Sequence, residues 1–253
     1  MKNEFDNKYL IAYLCHSKSV EDFKVLLDFY RFLSNLFYKT KDYNLYQIKL
    51  QWLLEELFIP KDSGIFEVDK FKILMQKYLF TKENIIKMIE AKAIDMDNFP
   101  FSSQEDLLKY IENTDLIFWN LYAEIVFGKQ LSLQQIELIN NMAKAFGIVE
   151  LIKFAEFKKK RGVYVLLYSK DDMGEVLKIE KQNIQNLSKI AEQYIAKSSK
   201  NKGKLRKLLL LNYFSKDFLK NLSANNFQIN NIDTHKTAKA TYLKIILSLI
   251  FRV

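Results

Sequence analysis

The chain has 253 residues, 49% of them hydrophobic, with six glycines and two prolines. So few turn formers argue against a many-stranded sandwich or barrel, and the length suits a single all-α domain spanning residues 1–253. Lys and Arg outnumber Asp and Glu by 39 to 30, and the formal charge of +9 attracts phosphates, anionic lipid or nucleic acid without selecting any of them.

Met1 to Tyr13 carries acidic residues and no long apolar run, so it reads as mature sequence, not as a secretory signal. Cys15 is the only cysteine, which excludes an intramolecular disulfide and fits a reducing, cytoplasmic setting. His16 is adjacent, but neighbouring helical side chains diverge, so Cys15 is read as a packing residue. With His235 far along the chain, zinc is not expected, and carboxylates are the remaining candidates for a metal such as Mg²⁺.

Ser19 and Asp22 form a helix-start box, after which Phe23, Leu26, Leu27, Tyr30, Leu33 and Phe37 recur at helical spacing. A second helix is expected over Leu45 to Phe58, before Pro60, since the residue preceding proline disfavours helix. Helical patterns follow at Val68 to Leu79 and Lys82 to Met96, then a loop at Asp97 to Phe101. Ser103 and Asp106 open what the pattern makes the longest helix, running to Gly128, and Ser132 caps another reaching about Lys158. The basic run Lys158 to Arg161 leads into the β-prone Val163 to Tyr168, read as an extended connector because isolated strands rarely stand alone. Helices are expected over Gly174 to Lys197, over Gly203 to Asn225 and from Thr237 onward. Tyr242 to Phe251, the most apolar stretch, falls short of the roughly 20 residues that span a membrane and could at most lie on its surface.

Three blocks carry a family resemblance. Ile48-Lys49-Leu50-Gln51-Trp52-Leu53-Leu54-Glu55-Glu56-Leu57 resembles the "IRLQWWREAL" helix of the squalene/phytoene synthase superfamily. Ile89-Glu90-Ala91-Lys92-Ala93-Ile94-Asp95-Met96-Asp97 with Phe99-Pro100-Phe101 and Glu105-Asp106-Leu107 is similar to the "IEARAFDLD…PFP…EDL" block of its divergent bacterial and mitochondrial branch. Ala145-Phe146-Gly147 to Leu151, then Arg161-Gly162, looks like "AYGL…LLR…RGR", and Phe218 to Phe227 resembles a late "YL..L...GF" element. That branch includes the mitochondrial complex I assembly factor with a squalene/phytoene synthase-like domain. The resemblance implies an isoprenoid-synthase helical array around a central cavity, with acidic clusters at its mouth holding Mg²⁺ against diphosphates. Hard divalent ions need carboxylate oxygens presented on one helical face, three or four residues apart.

The sequence departs from that pattern at both clusters. With Tyr30-Arg31 in the place of the family's Cys-Arg, the first acidic cluster falls on Ser34, Asn35 and Tyr38. Aligning back from Arg161-Gly162 puts Lys153 on the second cluster's Arg, Phe154 on its first acid, and Phe157 and Lys158 near the others. Aromatic and cationic groups there would exclude Mg²⁺; Glu150 and Glu156 are the acids near enough for a displaced cluster. Arg31 and Lys92 are candidates to bind an anion in a vestigial cavity, or to be solvated. Trp52 is a candidate to line a lipid pocket, with plain core packing the commoner role. Asp95 and Asp97, two apart, face different sides of a helix, so Asp95 reads as a helix-end residue.

Two functions are therefore expected to compete. One is a non-catalytic interaction protein without a cofactor, assisting assembly or membrane delivery of a respiratory-complex subunit, on the inner face of a membrane and able to hold an isoprenoid or lipid. The other is an active Mg²⁺-dependent prenyl transferase condensing prenyl diphosphates. Nucleic-acid binding is not expected, since no motif interleaves aromatic with basic residues.

Overall fold

The computed structural model describes residues 19–128, 131–166, 176–199, 205 and 208–229. Cys15, His16, His235 and the apolar Tyr242 to Phe251 lie outside them, as do the expected chain start and final helix. Among the described residues there are nine α-helices and no strand: α1 Val20–Lys39, α2 Tyr43–Leu57, α3 Phe66–Tyr78, α4 Lys82–Glu90, α5 Gln104–Ile111, α6 Ile117–Phe127, α7 Leu133–Lys159, α8 Val176–Ser198 and α9 Leu211–Ala224.

Local chemistry accounts for most boundaries. Asp42 caps α2 by accepting from the Leu45 amide at 2.7 Å, and Ser132 and Gln135 form a reciprocal capping box at the start of α7. Ser103 caps α5 through the Asp106 amide. Ser19 stands at the N-cap of α1, but its side chain makes no capping bond, so the expected box at that position is not formed. Helix α3 stops on Leu79, which takes a left-handed φ of 53°, a conformation glycine would adopt at lower cost.

Three expected elements divide. The pattern from Lys82 to Met96 is α4 followed by a 3₁₀ segment, Ala91–Met96. The tighter winding brings Lys92 and Asp95 onto one buried side. The helix expected from Ser103 to Gly128 contains a π turn, Glu112–Leu116, which adds a residue to the winding and carries Thr114 and Asp115 into the interior. The longest helix is α7, with 27 residues. Of the stretch expected over Gly203 to Asn225, the described run from Leu208 onward is a 3₁₀ turn, Leu208–Leu210, leading into α9. Val163 to Leu166 is neither helical nor paired in a sheet, and its Tyr164 amide donates to the Asn98 carbonyl at 2.7 Å, while Leu167 and Tyr168 lie outside the described residues.

The buried apolar residues form one cluster running from Phe23 to Leu222. Phe29 of α1 stacks on Phe71 of α3 with centroids 3.8 Å apart, Phe23 meets Tyr122 edge-on at 4.5 Å, and Phe118, Trp119 and Tyr122 fill the middle of the array. Helices α7 and α8 lie antiparallel: Lys159 pairs with Glu180 at one end, and Lys144 sits over the Tyr194 ring further along. Helix α9 then reverses against α8, with Asn212 donating to Ser198 and Lys181 to Asn226. Among the described residues no helix is long and apolar enough to cross a membrane.

Candidate functional site

The strongest concentration of buried polar chemistry lies where the 3₁₀ segment meets α1, α5 and the end of α7. Asp95, 5% exposed, is its hub. Its carboxylate accepts from the Tyr110 hydroxyl at 2.7 Å and from the Lys158 ammonium at 3.3 Å, and the Lys92 ammonium lies 3.4 Å away. Lys92 also donates to the Tyr110 hydroxyl at 2.8 Å, so one phenol bridges cation and anion. Burial on its own would raise the Asp95 carboxyl, but Lys158, Lys92 and the Tyr110 hydrogen bond together hold it below the ordinary carboxylate value. The Lys92 ammonium faces the rings of Tyr30 and Tyr110 at 5.6 and 5.2 Å, and Lys158 faces Phe37 at 5.4 Å.

Around this hub the backbone is pinned. The Tyr46 hydroxyl donates to the Lys92 carbonyl and Gln47 to that of Ala93, both at 2.8 Å, which tie α2 to the 3₁₀ segment. Tyr30 is hydrogen-bonded to Asp115; burial first, then the charges of Asp115, Asp95 and Glu150, raise its hydroxyl well above the ordinary phenol value. Asp115 owes its inward position to the π turn, and Gly147 of α7 permits the close approach there. A Cβ on Gly147 would stand 2.6 Å from Ile111 Cγ2 and 3.2 Å from Asp115 Oδ2.

The residues aligned with the family's acidic clusters lie beside the hub and do other work. Ser34 donates its hydroxyl to the Tyr30 carbonyl at 2.9 Å, Asn35 is exposed, and Arg31 is partly buried and engaged. Tyr38 turns its ring onto Phe157, centroids 5.5 Å apart. Lys153 sits 3.7 Å from Glu150 and over the Phe154 ring, itself only partly buried. Arg161 seals the same corner: its guanidinium donates to the carbonyls of Tyr38, Phe37 and Thr40 at 3.0, 3.2 and 3.4 Å, and lies 4.7 Å from the Phe37 ring. These are the last carbonyls of α1, which have no partner within the helix.

Several readings need correction. Lys158, the first residue of the basic run, is buried and paired because its turn of α7 faces the 3₁₀ segment, whereas charge runs are usually solvated. Asp95 is an interior ion-pair residue, and the half-buried Asp97 does not join it; burial raises the Asp97 carboxyl. Trp52 is not part of the buried core. It is exposed, because the buried face of α2 is carried by Tyr46, Leu50, Leu53 and Leu57. Tyr110 and Asp115 were not legible as site residues, Tyr110 because it reads as an apolar-face aromatic. The Lys92–Asp95 spacing was the one available signal, since i, i+3 neighbours share a helical face.

Among the described residues no three His, Cys, Asp or Glu side chains gather as ligands, and Asp95 is already satisfied by two ammoniums and a phenol. Glu150 and Glu156, six residues apart on α7, point to different sides of the helix and form no displaced cluster. A groove of about 450 Å³ lies elsewhere, lined by Glu192 of α8 and by Lys216, Leu219, Lys220, Ser223 and Ala224 of α9.

Neither a protein-family model nor a curated protein sequence matches the chain. Among solved structures it resembles the squalene synthase HpnC from Alicyclobacillus acidocaldarius, with a TM-score of 0.67 at 14% identity, over 89% of this chain and 90% of that one. The chain thus has the all-α, isoprenoid-synthase-like fold of that enzyme.

Proposed function

We propose that the protein is a non-catalytic relative of squalene and phytoene synthases that uses the fold for interaction. The observation that carries this reading is the Tyr38–Phe157 contact, where the sequence resemblance leads one to expect carboxylates, with Arg161 clamped over the end of α1. Ionisation of an allylic diphosphate needs divalent cations to neutralise the leaving group, and an aromatic pair offers them no oxygen ligands. The Lys92–Asp95–Lys158 hub supports the same reading, since its one carboxylate is engaged by two ammoniums and serves to join the 3₁₀ segment to α7.

The sequence blocks similar to the complex I assembly factor's branch suggest the kind of interaction: holding or delivering a respiratory-complex subunit at the membrane surface. Fold alone does not fix a role of this kind. Its test is depletion of the protein in its own cell, followed by native electrophoresis of the respiratory complexes. Loss of assembled NADH:quinone oxidoreductase, with prenyl lipids unchanged, would support it. Intact complex with altered prenyl lipids would favour the second reading, an active prenyl transferase, to which the squalene synthase likeness gives its support.

A further inference from the structure

Helix α2 is apolar on two opposite sides. Tyr46, Leu50, Leu53 and Leu57 are buried, while Leu45, Ile48 and Trp52, spaced i, i+3 and i+7, share the outer face; Ile48 is 64% exposed and Leu45 45%. Apolar side chains grouped on an exposed face, rimmed here by charged residues, mark a contact surface. Charge along the outer face is asymmetric. Lys39 and Lys41 are exposed where the chain enters the helix, and Asp42 between them and the helix turns its carboxylate to the Leu45 amide. Glu55, at the other end, is exposed and accepts from its neighbour Gln51, and Glu56 pairs with Lys72.

We propose that this face is a self-association surface, on which α2 of a second copy packs antiparallel about a two-fold axis. A two-fold interface must be self-complementary, and this one is. Ile48 meets its own counterpart, Leu45 meets the second copy's Trp52 and the reverse, and the basic entry of each helix faces the acidic end of the other. Antiparallel pairing also sets opposite helix-dipole ends together. A 15-residue helix, about 22 Å long, offers less than the roughly 800 Å² per partner of a standard interface, so the dimer is a weak one in exchange with monomer. The inference is independent of the functional reading above.

Sedimentation velocity of the full chain, from low to high micromolar concentration, tests it. The expected result is a concentration-dependent monomer–dimer equilibrium. Ile48→Glu abolishes it with the helical circular dichroism unchanged. Lys41→Glu weakens it about tenfold, by adding like-charge repulsion at both symmetric ends, and the double change Lys41→Glu with Glu55→Lys restores it. A chain that stays monomeric throughout, a dimer indifferent to Ile48→Glu, or a double variant as weak as the single one would each overturn the proposal. So would a monomer that binds phosphatidylglycerol vesicles through Ile48, which would give the face to a lipid surface.

Discussion

Tyr38 and Phe157 meet edge to face, ring centroids 5.5 Å apart at 66°, and so join the last turn of α1 to the last turn of α7. By the sequence resemblance, Tyr38 falls on an acidic position of the squalene/phytoene synthase pattern and Phe157 near another. Each ring is partly exposed, so we expect Phe157→Ala to cost only about 1 kcal/mol, read by chemical denaturation. A much larger loss would mean that the pair anchors the corner more than its exposure implies.

Asp95 should dominate the pH dependence. Its carboxyl is held below the ordinary value in the folded chain, so its contribution is fully present above the unfolded-state value of about 3.9. That contribution is lost as pH falls through the lower, folded value. Asp95→Asn leaves two buried ammoniums with a neutral partner and is expected to destabilise by about 3–5 kcal/mol at neutral pH. Denaturant midpoints between pH 3 and 7 should then be flatter in the variant than in the native chain.

Gly147 is required by contact, not by backbone conformation. Its missing Cβ is what lets α7 lie against Ile111 and the π turn. We expect Gly147→Ala to cost about 1–3 kcal/mol through overpacking, despite alanine's better helix propensity. Thermal unfolding of Gly147→Ala, of Ile111→Ala and of the double variant should show a loss in the double variant smaller than the sum of the two single losses, since Ile111→Ala removes the γ carbons that the new Cβ would meet.

Tyr46→Phe removes the hydroxyl that satisfies the buried Lys92 carbonyl. A loss of about 1–2 kcal/mol is expected, measurable in the same denaturation series, with Gln47→Ala smaller because that bond is only partly buried.

How far the sequence could be read depended on periodicity. Helices α1 and α7 were plain from one apolar stripe and a cap. The interruptions were not: the 3₁₀ segment and the π turn keep roughly the same run of apolar residues while changing the winding. Because they rotate Asp95 and Asp115 inward, the polar hub was hidden with them. Trp52 was misplaced for a related reason, since a helix apolar on both sides gives no phase from which to choose the buried one. Loss of the acidic pattern at Ser34, Asn35, Tyr38 and Phe154 was visible in the chain; that Tyr38 and Phe157 touch required the fold.

The central claim is that the mouth cannot hold Mg²⁺ against a diphosphate. Calorimetric titration of the full chain with farnesyl diphosphate, with and without Mg²⁺, tests it most directly when diphosphate release is followed in parallel. The account expects Mg²⁺ to make no difference to binding and no diphosphate to be released. Tight Mg²⁺-dependent binding with release of diphosphate would contradict it.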